Sequence, residues 1–268
     1  MLIVIKVGGD LLVNGFPPAL AAEIKALIGE HQFVIVHGGG DIVTDISTRL
    51  GHPPKFVMSP RGFRSRYTDR ETAGIFTMVM AGKINKEIIS ALQGVGVNAI
   101  GLSGLDGAVV RARRKEQIIA LNDQGKKILM GGGYTGQIES VNAGLLSLLT
   151  KNGYTPVISS VAMGLEAEPL NVDGDRMAAS VAIAIGADRL ILLTDVEGIL
   201  RDGKRIEELT AFEAKDLQEK IGPGMSTKVY AAQEAVGGGT PEAIIASGFG
   251  EAAITAALGH TTGTVIHK

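Results

Sequence analysis

Residues 33–41 read FVIVHGGGD. The run Phe33-Val34-Ile35-Val36 is short, apolar and largely β-branched, as in a strand covered on both faces of a parallel sheet. A histidine and three glycines follow, and then the helix-compatible apolar residues Ile42, Val43, Ile46 and Leu50. Glycine has no Cβ and takes positive φ freely, so a bound group can lie directly on its backbone. A buried strand, a glycine turn and a helix N-terminus bring unpaired N–H groups and the positive end of the helix dipole to one point, which makes an anion site.

The chain opens with the same device. Residues 2–12, LIVIKVGGDLL, are an apolar strand running into Gly8 and Gly9, and here Lys6 interrupts the apolar run. A lysine in a buried strand is costly unless its ammonium meets an anion at the strand end. Two glycine turns and a lysine converging at strand carboxyl ends point to phosphate.

Composition narrows the class. At 268 residues the chain makes one large or two modest domains. It is 45% hydrophobic but only 4% aromatic, so the core is built from Val, Ile, Leu and Ala, as in α/β proteins. A net charge of −2 argues against nucleic-acid binding through the overall field. The absence of cysteine excludes disulfides, thiol nucleophiles and cysteine-ligated metals. No signal peptide and no run of 18 apolar residues is visible, so the expectation is a soluble cytoplasmic protein.

Apolar runs alternate with helical stretches along the chain. The pattern predicts strands over Leu2–Val7, Phe33–Val36, Ala99–Leu102, Thr155–Ser159, Leu190–Leu193 and Ala243–Ala246. It predicts helices over Leu20–Gly29, Thr72–Leu92, Val141–Lys151, Arg176–Ile185 and Ala211–Lys220. Gly51–Asp69 and Val109–Gln137 break the alternation and read as projecting hairpins or flaps. The strand–helix order resumes after Asn171, so two lobes are expected, residues 1–170 and 171–268, without a loose linker.

Four other motifs matter. GGGYTG at Gly131–Gly136 matches a dinucleotide-binding pattern formally, but Gln137-Ile138-Glu139 after it reads as extended, so a hairpin turn is expected. In PLNVDGDRMAASVA, capping the following helix needs one of Asn171, Asp173 and Asp175, which leaves Asn171 and Asp175 to hold polar groups at the centre of a site. LILLTDVEGIL ends a strand at Thr194-Asp195 and turns at Gly198. IGPGMSTKV sets Gly222 and Gly224 ahead of Lys228 and reads as a mobile loop closing on a nucleotide. His37 is expected to hydrogen-bond its own turn.

In this order, IKVGGD, VIVHGGG, GFRSRYTD, AGKINK, NGYTPVISS, NVDGD, LLTDVEGIL and GMSTKV resemble the amino acid kinase family over essentially the whole chain. The likeness is nearest to its acetylglutamate kinase-like members, especially those acting on aminoadipate or glutamate attached to an amino-group carrier protein. The resemblance implies a three-layer αβα sandwich around a largely parallel sheet. Its N-terminal lobe would take the acyl acceptor and make dimer contacts, and its C-terminal lobe would take ATP. By similarity, Lys6 and Lys228 neutralise the moving phosphoryl group and Asp175 holds both lysines. Gly9, Gly39 and Gly40 donate N–H groups to phosphate or substrate, Arg64 grips the substrate α-carboxylate, and Asn171 helps to place the substrate. ATP lies along Thr194, Asp195 and Gly198 and along Lys220–Met225, including Gly222, Gly224 and Met225. Mg²⁺ is held mainly by the ATP phosphates.

The chemistry is coherent with these residues. A side-chain carboxylate is already ionised at pH 7 and needs no general base, which fits a sequence with no convincing histidine–carboxylate pair. The barrier is bringing two anions together, which fixed cations and oriented N–H groups lower. Two further readings are an ordinary acetylglutamate kinase and a non-catalytic nucleotide sensor, and the sensor has no need of two transfer-site lysines. Basic residues concentrate in the two flaps, at Arg61, Arg64, Arg66 and Arg70 and at Arg111, Arg113, Arg114 and Lys115. Against a slightly acidic chain, this asymmetry predicts docking of a small acidic carrier protein, with Arg61, Arg66, Arg111, Arg113, Arg114 and Lys115 at the rim. A homodimer joined through the N-terminal lobe, without feedback inhibition by arginine, is also expected.

Overall fold

Eight strands form the central sheet: β1 (Leu2–Val7), β2 (Gln32–His37), β3 (Ala99–Leu102), β4 (Thr155–Ser159), β5 (Arg189–Thr194), β6 (Glu208–Thr210), β7 (Glu242–Ser247) and β8 (Thr264–His267). The structure, a computed structural model, describes residues 1–60, 62, 64–122, 124–218 and 221–268. The strand order is β6-β8-β7-β5-β1-β2-β4-β3, and every neighbouring pair is parallel except β7–β8. Strands from before residue 170 fill one half of the sheet and strands from after it fill the other, meeting where β1 pairs with β5.

Side chains alternate across each strand, and the alternation builds two cores. On β1, Val4 joins Val34, Val36, Leu190 and Leu192 on one face, while Ile3, Ile5 and Val7 join Phe33, Ile35, Ile191 and Leu193 on the other. The helices are α1 (Pro18–Leu27), α2 (Gly40–Arg49), α3 (Arg70–Thr77), α4 (Asn85–Gly94), α5 (Ala143–Lys151), α6 (Gly174–Ile185), α7 (Ala211–Gln218), α8 (Pro223–Gly237) and α9 (Ala253–Leu258). Helices α5 to α8 cover the Val4 face, and α1 to α4 with α9 cover the Ile5 face, so the molecule is a three-layer αβα sandwich. The same alternation puts Lys6 on the Val4 face, beneath α6.

The helix expected over Thr72–Leu92 is continuous but not uniform. Between α3 and α4 the segment Met78–Ile84 is π-helical, a wider turn often found beside functional sites. Ile84 and Met80 from this turn lie against Gly39, where a Cβ would overlap Ile84. The two projecting segments form smaller sheets. The hairpin Lys55–Met58/Arg64–Tyr67 joins the hairpin Gln117–Leu121/Lys127–Gly131 in one four-stranded sheet, and Val110–Arg114 pairs with Gly136–Val141 in another. GGGYTG is therefore not a hairpin turn. It crosses from Gly131 in the first small sheet to Gly136 in the second, and Gly132 and Gly133 ride directly on the carbonyls of Lys115 and Thr68, leaving no room for a Cβ.

Candidate active site

The carboxyl ends of β1, β2 and β5 are stitched together by backbone. Gly8 N–H donates to the Leu193 carbonyl (3.1 Å), and Gly38 N–H donates to the Val7 carbonyl (3.0 Å). The glycine turns press on each other so closely that a Cβ on Gly9 would sit 3.1 Å from the Gly39 nitrogen. Gly39 has φ of 147°, a conformation that excludes other residues. Among the described residues, the N–H groups of Gly9, Gly39 and Gly40 meet no backbone acceptor, and Gly40 begins α2. Three N–H groups without backbone acceptors thus lie on adjoining glycine turns.

Lys6 rises from β1, and its Nζ lies 2.8 Å from Asp175 Oδ1. Lys228 approaches the other oxygen, with Nζ 3.5 Å from Oδ2. Asp175 stands in the first turn of α6, and Asp173 caps that helix by accepting from Arg176 N–H at 2.9 Å, so the division of labour read from Asp173 and Asp175 holds. Burial opposes charge on both Lys6 and Asp175, yet each charged partner prevails. The Lys6 ammonium is raised above the usual lysine value by Asp175, and Asp175 is held below the usual carboxylate value by Lys6 and Lys228. The Lys6 contact is an ion pair without aligned hydrogen-bond geometry, which leaves accepting capacity at Oδ1.

Lys228 does not follow a loop. Gly222 is the N-cap of α8, and Gly224 and Met225 lie in its first turn, ahead of Lys228 in the second. The segment expected as a glycine loop is instead the first turn of a helix, which Pro223 suits by its fixed φ at the first position. Lys220, expected at the nucleotide, lies outside the described residues. On β5, Thr194 is buried and donates to Asp195 Oδ1 (3.0 Å), while Asp195 itself is exposed. Gly198 (φ 146°) packs on Gly263 and Thr264, so its need for glycine is met by packing alone.

The arginines of the first flap exchange places relative to expectation. Arg66, expected at an exposed docking rim, is buried, and its Nη2 donates to the Gly40 carbonyl and to Thr44 Oγ1, both at 2.8 Å. Its Nη1 is buried without an acceptor. Arg64, expected at the substrate, is exposed and stacks 3.7 Å over the Phe56 ring. Strand alternation puts Arg64 and Arg66 on one face, both over Phe56, and they differ because only Arg66 lies where it reaches Gly40 and Thr44 of α2. Arg61 lies outside the described residues. Asn171 joins the site from its edge, donating to Thr68 Oγ1 at 2.9 Å.

In the second flap, Arg111 is exposed and Arg113 pairs with Glu139 at 2.5 Å. Arg114 stacks 4.0 Å over Tyr134 and donates to the Gly133 carbonyl. Lys115, expected as a rim residue, is half-buried, and its ammonium is lowered by burial and by Arg176 nearby. Arg113, Arg114 and Lys115 line a cleft of about 570 Å³ with Tyr67, Leu165 and Glu168.

Three features escaped the sequence reading. His37 is fully buried, with Nδ1 2.9 Å from the Gly38 carbonyl and Nε2 3.3 Å from Asn85 Nδ2, and Asn85 also donates to the Val157 carbonyl (2.9 Å). The turn-binding role of His37 was foreseen but its partner was not, since Asn85 is distant in sequence. Arg176 forks onto Glu234 with Nε–Oε2 of 2.8 Å and Nη2–Oε1 of 2.6 Å, and only the packing of α6 on α8 brings that pair together. His52 also lies between Asp69 (3.3 Å) and Glu71 (3.5 Å), a histidine–carboxylate contact at the base of the first hairpin.

Comparison with known proteins agrees with this architecture. A match to the amino acid kinase family spans residues 1–247. A relative from Cenarchaeum symbiosum, named as a putative [LysW]-aminoadipate/[LysW]-glutamate kinase, is 50% identical over 99% of both chains. The [LysW]-aminoadipate/[LysW]-glutamate kinase of Saccharolobus solfataricus is 44% identical, again over 99% of both. The solved structure of smu.665 from Streptococcus mutans superposes with a TM-score of 0.81 at 25% identity, covering 99% of this chain and 98% of its own.

Proposed function

Because the chain belongs to the amino acid kinase family, we propose that it transfers the terminal phosphoryl group of ATP to the side-chain carboxylate of aminoadipate or glutamate borne by an amino-group carrier protein, in lysine biosynthesis. The observation that carries this reading is Asp175 buried between Lys6 and Lys228 at the mouth of the two glycine turns. The names of the relatives favour the carrier-linked acceptor over acetylglutamate.

In this reading a carboxylate oxygen of the acceptor attacks the terminal phosphorus of ATP, the bond to the ADP oxygen breaks, and an acyl phosphate and ADP result. Lys6 and Lys228 carry the charge that spreads over the transferring group, and Asp175 keeps their ammonium groups a fixed distance apart. Gly9, Gly39 and Gly40 donate to the phosphate oxygens. Arg66, with its unpartnered Nη1 beside Gly40, takes the substrate carboxylate role first given to Arg64, and Asn171 positions the acceptor. Residues 1–170 form the acceptor lobe and residues 171–268 the ATP lobe, with Thr194, Asp195, Gly222, Gly224 and Met225 along the nucleotide. Among the described residues no three His, Asp or Glu side chains form a metal cage, so Mg²⁺ would ride on the ATP phosphates. The exposed Arg111 and Arg113 meet an acidic carrier beside a cleft that carries both cations and carboxylates. No described helix is long and apolar enough to cross a membrane.

The deciding experiment measures ADP release with three acceptors: carrier-linked aminoadipate, carrier-linked glutamate and free acetylglutamate. Turnover of a carrier-linked acid well above that of acetylglutamate supports the reading. Preference for acetylglutamate overturns the carrier, and ATP binding with no turnover of any acceptor overturns the enzyme.

A further inference from the structure

We infer that Arg176 and Glu234 are positioning residues that set Lys228 for phosphoryl transfer, an inference that rests on the role proposed for Lys228. Lys228 is a poor candidate for fixing itself. Its ammonium is a point charge on a flexible stem, and it meets Asp175 at 3.5 Å, beyond a firm hydrogen bond. Where the ammonium rests is therefore set by where the backbone of α8 rests. Ala178, Ala179 and Ala182 of α6 share one buried cluster with Ala231, Ala232 and Ala235 of α8, and Ile183 of α6 lies against Gly238 at the far end of α8. Small residues allow close approach but interlock weakly, so they resist separation better than they resist sliding or rotation.

The fork supplies that resistance. Arg176 follows Asp175 directly, and about 100° of helical turn separates their side chains, so two adjacent residues of α6 reach two different flanks of α8. Asp175 meets Lys228, while Arg176 meets Glu234 through two parallel bonds of 2.8 and 2.6 Å. Its guanidinium also lies 5.2 Å from the Tyr230 ring centroid, one turn before Glu234 on the same flank. Lys228 and Glu234 lie about 9 Å apart along the axis of α8. Two attachments on different flanks and at different heights determine both rotation and translation, which neither does alone. A planar bidentate pair is directional, so it specifies an angle as well as a distance.

A thermodynamic cycle tests this with MgATP and the carrier-linked acceptor under single-turnover conditions. Arg176→Ala is expected to lower the transfer rate tenfold or more while the ATP concentration for half-saturation moves less than about threefold. In a Lys228→Ala background the same substitution is expected to cost less than about threefold, because the group it positions is gone. The swapped pair Arg176→Glu with Glu234→Arg restores much of the rate. Glu234→Gln, which keeps the shape and weakens the fork, should fall between, and it serves as the perturbation if Arg176→Ala does not fold. Full multiplicative loss in the Lys228→Ala background, or an Arg176→Ala rate within about twofold of wild type, overturns the inference while leaving Lys228 in its role. A Lys228→Ala enzyme as fast as wild type instead overturns the role of Lys228, and the inference falls with it.

Discussion

Asp175 is buried between two ammonium groups, so losing the carboxylate leaves two like charges facing each other, whereas losing Lys228 leaves the Lys6–Asp175 pair intact and removes one cation from the transfer site. Lys228→Ala should lower kcat far more than it raises the KM for ATP, since its interaction strengthens as charge develops in the transition state. Steady-state kinetics with kcat within about threefold of wild type, under about 1 kcal/mol, would contradict this. Arg66 and Arg64 make a paired test. Arg66→Lys forfeits a planar guanidinium that anchors one nitrogen on Gly40 and Thr44 and leaves the other for a carboxylate, and should raise the KM for the acceptor about tenfold or more, whereas Arg64→Lys on the exposed strand should change it little. The reverse ranking returns the carboxylate to Arg64. His37 gives a prediction in pH. Burial pushes its imidazole down to about 4, so it is neutral in the fold, while the unfolded chain takes up a proton below 6.5. The unfolded state therefore binds more protons between these values, and stability falls as pH drops from 6.5 towards about 4, by on the order of 3 kcal/mol. Urea titrations of His37→Gln across this window should show a shallower slope than wild type.

The elements that the sequence made legible are those defined by local pattern. Apolar runs such as Phe33–Val36 marked strands of the central sheet because burial on both faces leaves no polar residue to blur them, and the two flaps showed as breaks in that rhythm. Lys6 and Asp175 stood out locally, as a cation in an apolar strand and an acid beyond the one a cap requires, but Lys228 and the grouping of all three were legible only through the resemblance to the kinase family. What escaped depends on distant segments. GGGYTG crosses between sheets because of what lies under Gly132 and Gly133, and Arg66 is buried because α2 stands beside its hairpin. Neither neighbour can be read from local spacing. Arg114 stays exposed but is occupied by Tyr134 and the Gly133 carbonyl, and Lys115 is half-buried, which leaves Arg111 and the Glu139-paired Arg113 as the arginines of the second flap offered to a carrier. Reversing both to Glu should cut kcat/KM for the carrier-linked acceptor at least tenfold at low salt, about 1.4 kcal/mol, with the deficit shrinking as salt rises. Turnover of free acetylglutamate should be unaffected. Equal losses for both acceptors would make the flap structural.

Across the whole molecule the two ends of the chain are tied by a carboxylate. Glu23 on α1 is buried and accepts from the N–H groups of Ile254 (3.0 Å) and Thr255 (2.7 Å) in α9. Glu23→Ala should destabilise the protein by about 1–3 kcal/mol, measured by chemical unfolding, because two buried donors lose a charged acceptor. Light scattering is expected at twice the mass of the 27.9 kDa chain, in keeping with a dimer through the acceptor lobe, and a monomer mass would contradict it. The position of β1 between β2 and β5 also governs how the protein comes into being. A ribosome delivers the β2 partner of residues 2–7 soon after them, but residues 189–194 arrive only about 150 residues later. At about 5–20 residues per second, one edge of an apolar strand stays unpaired on the order of ten seconds. That open edge is a template for any other nascent chain. Newly made protein should therefore depend on chaperones far more than its finished stability would imply, and refolding yield should fall steeply with concentration.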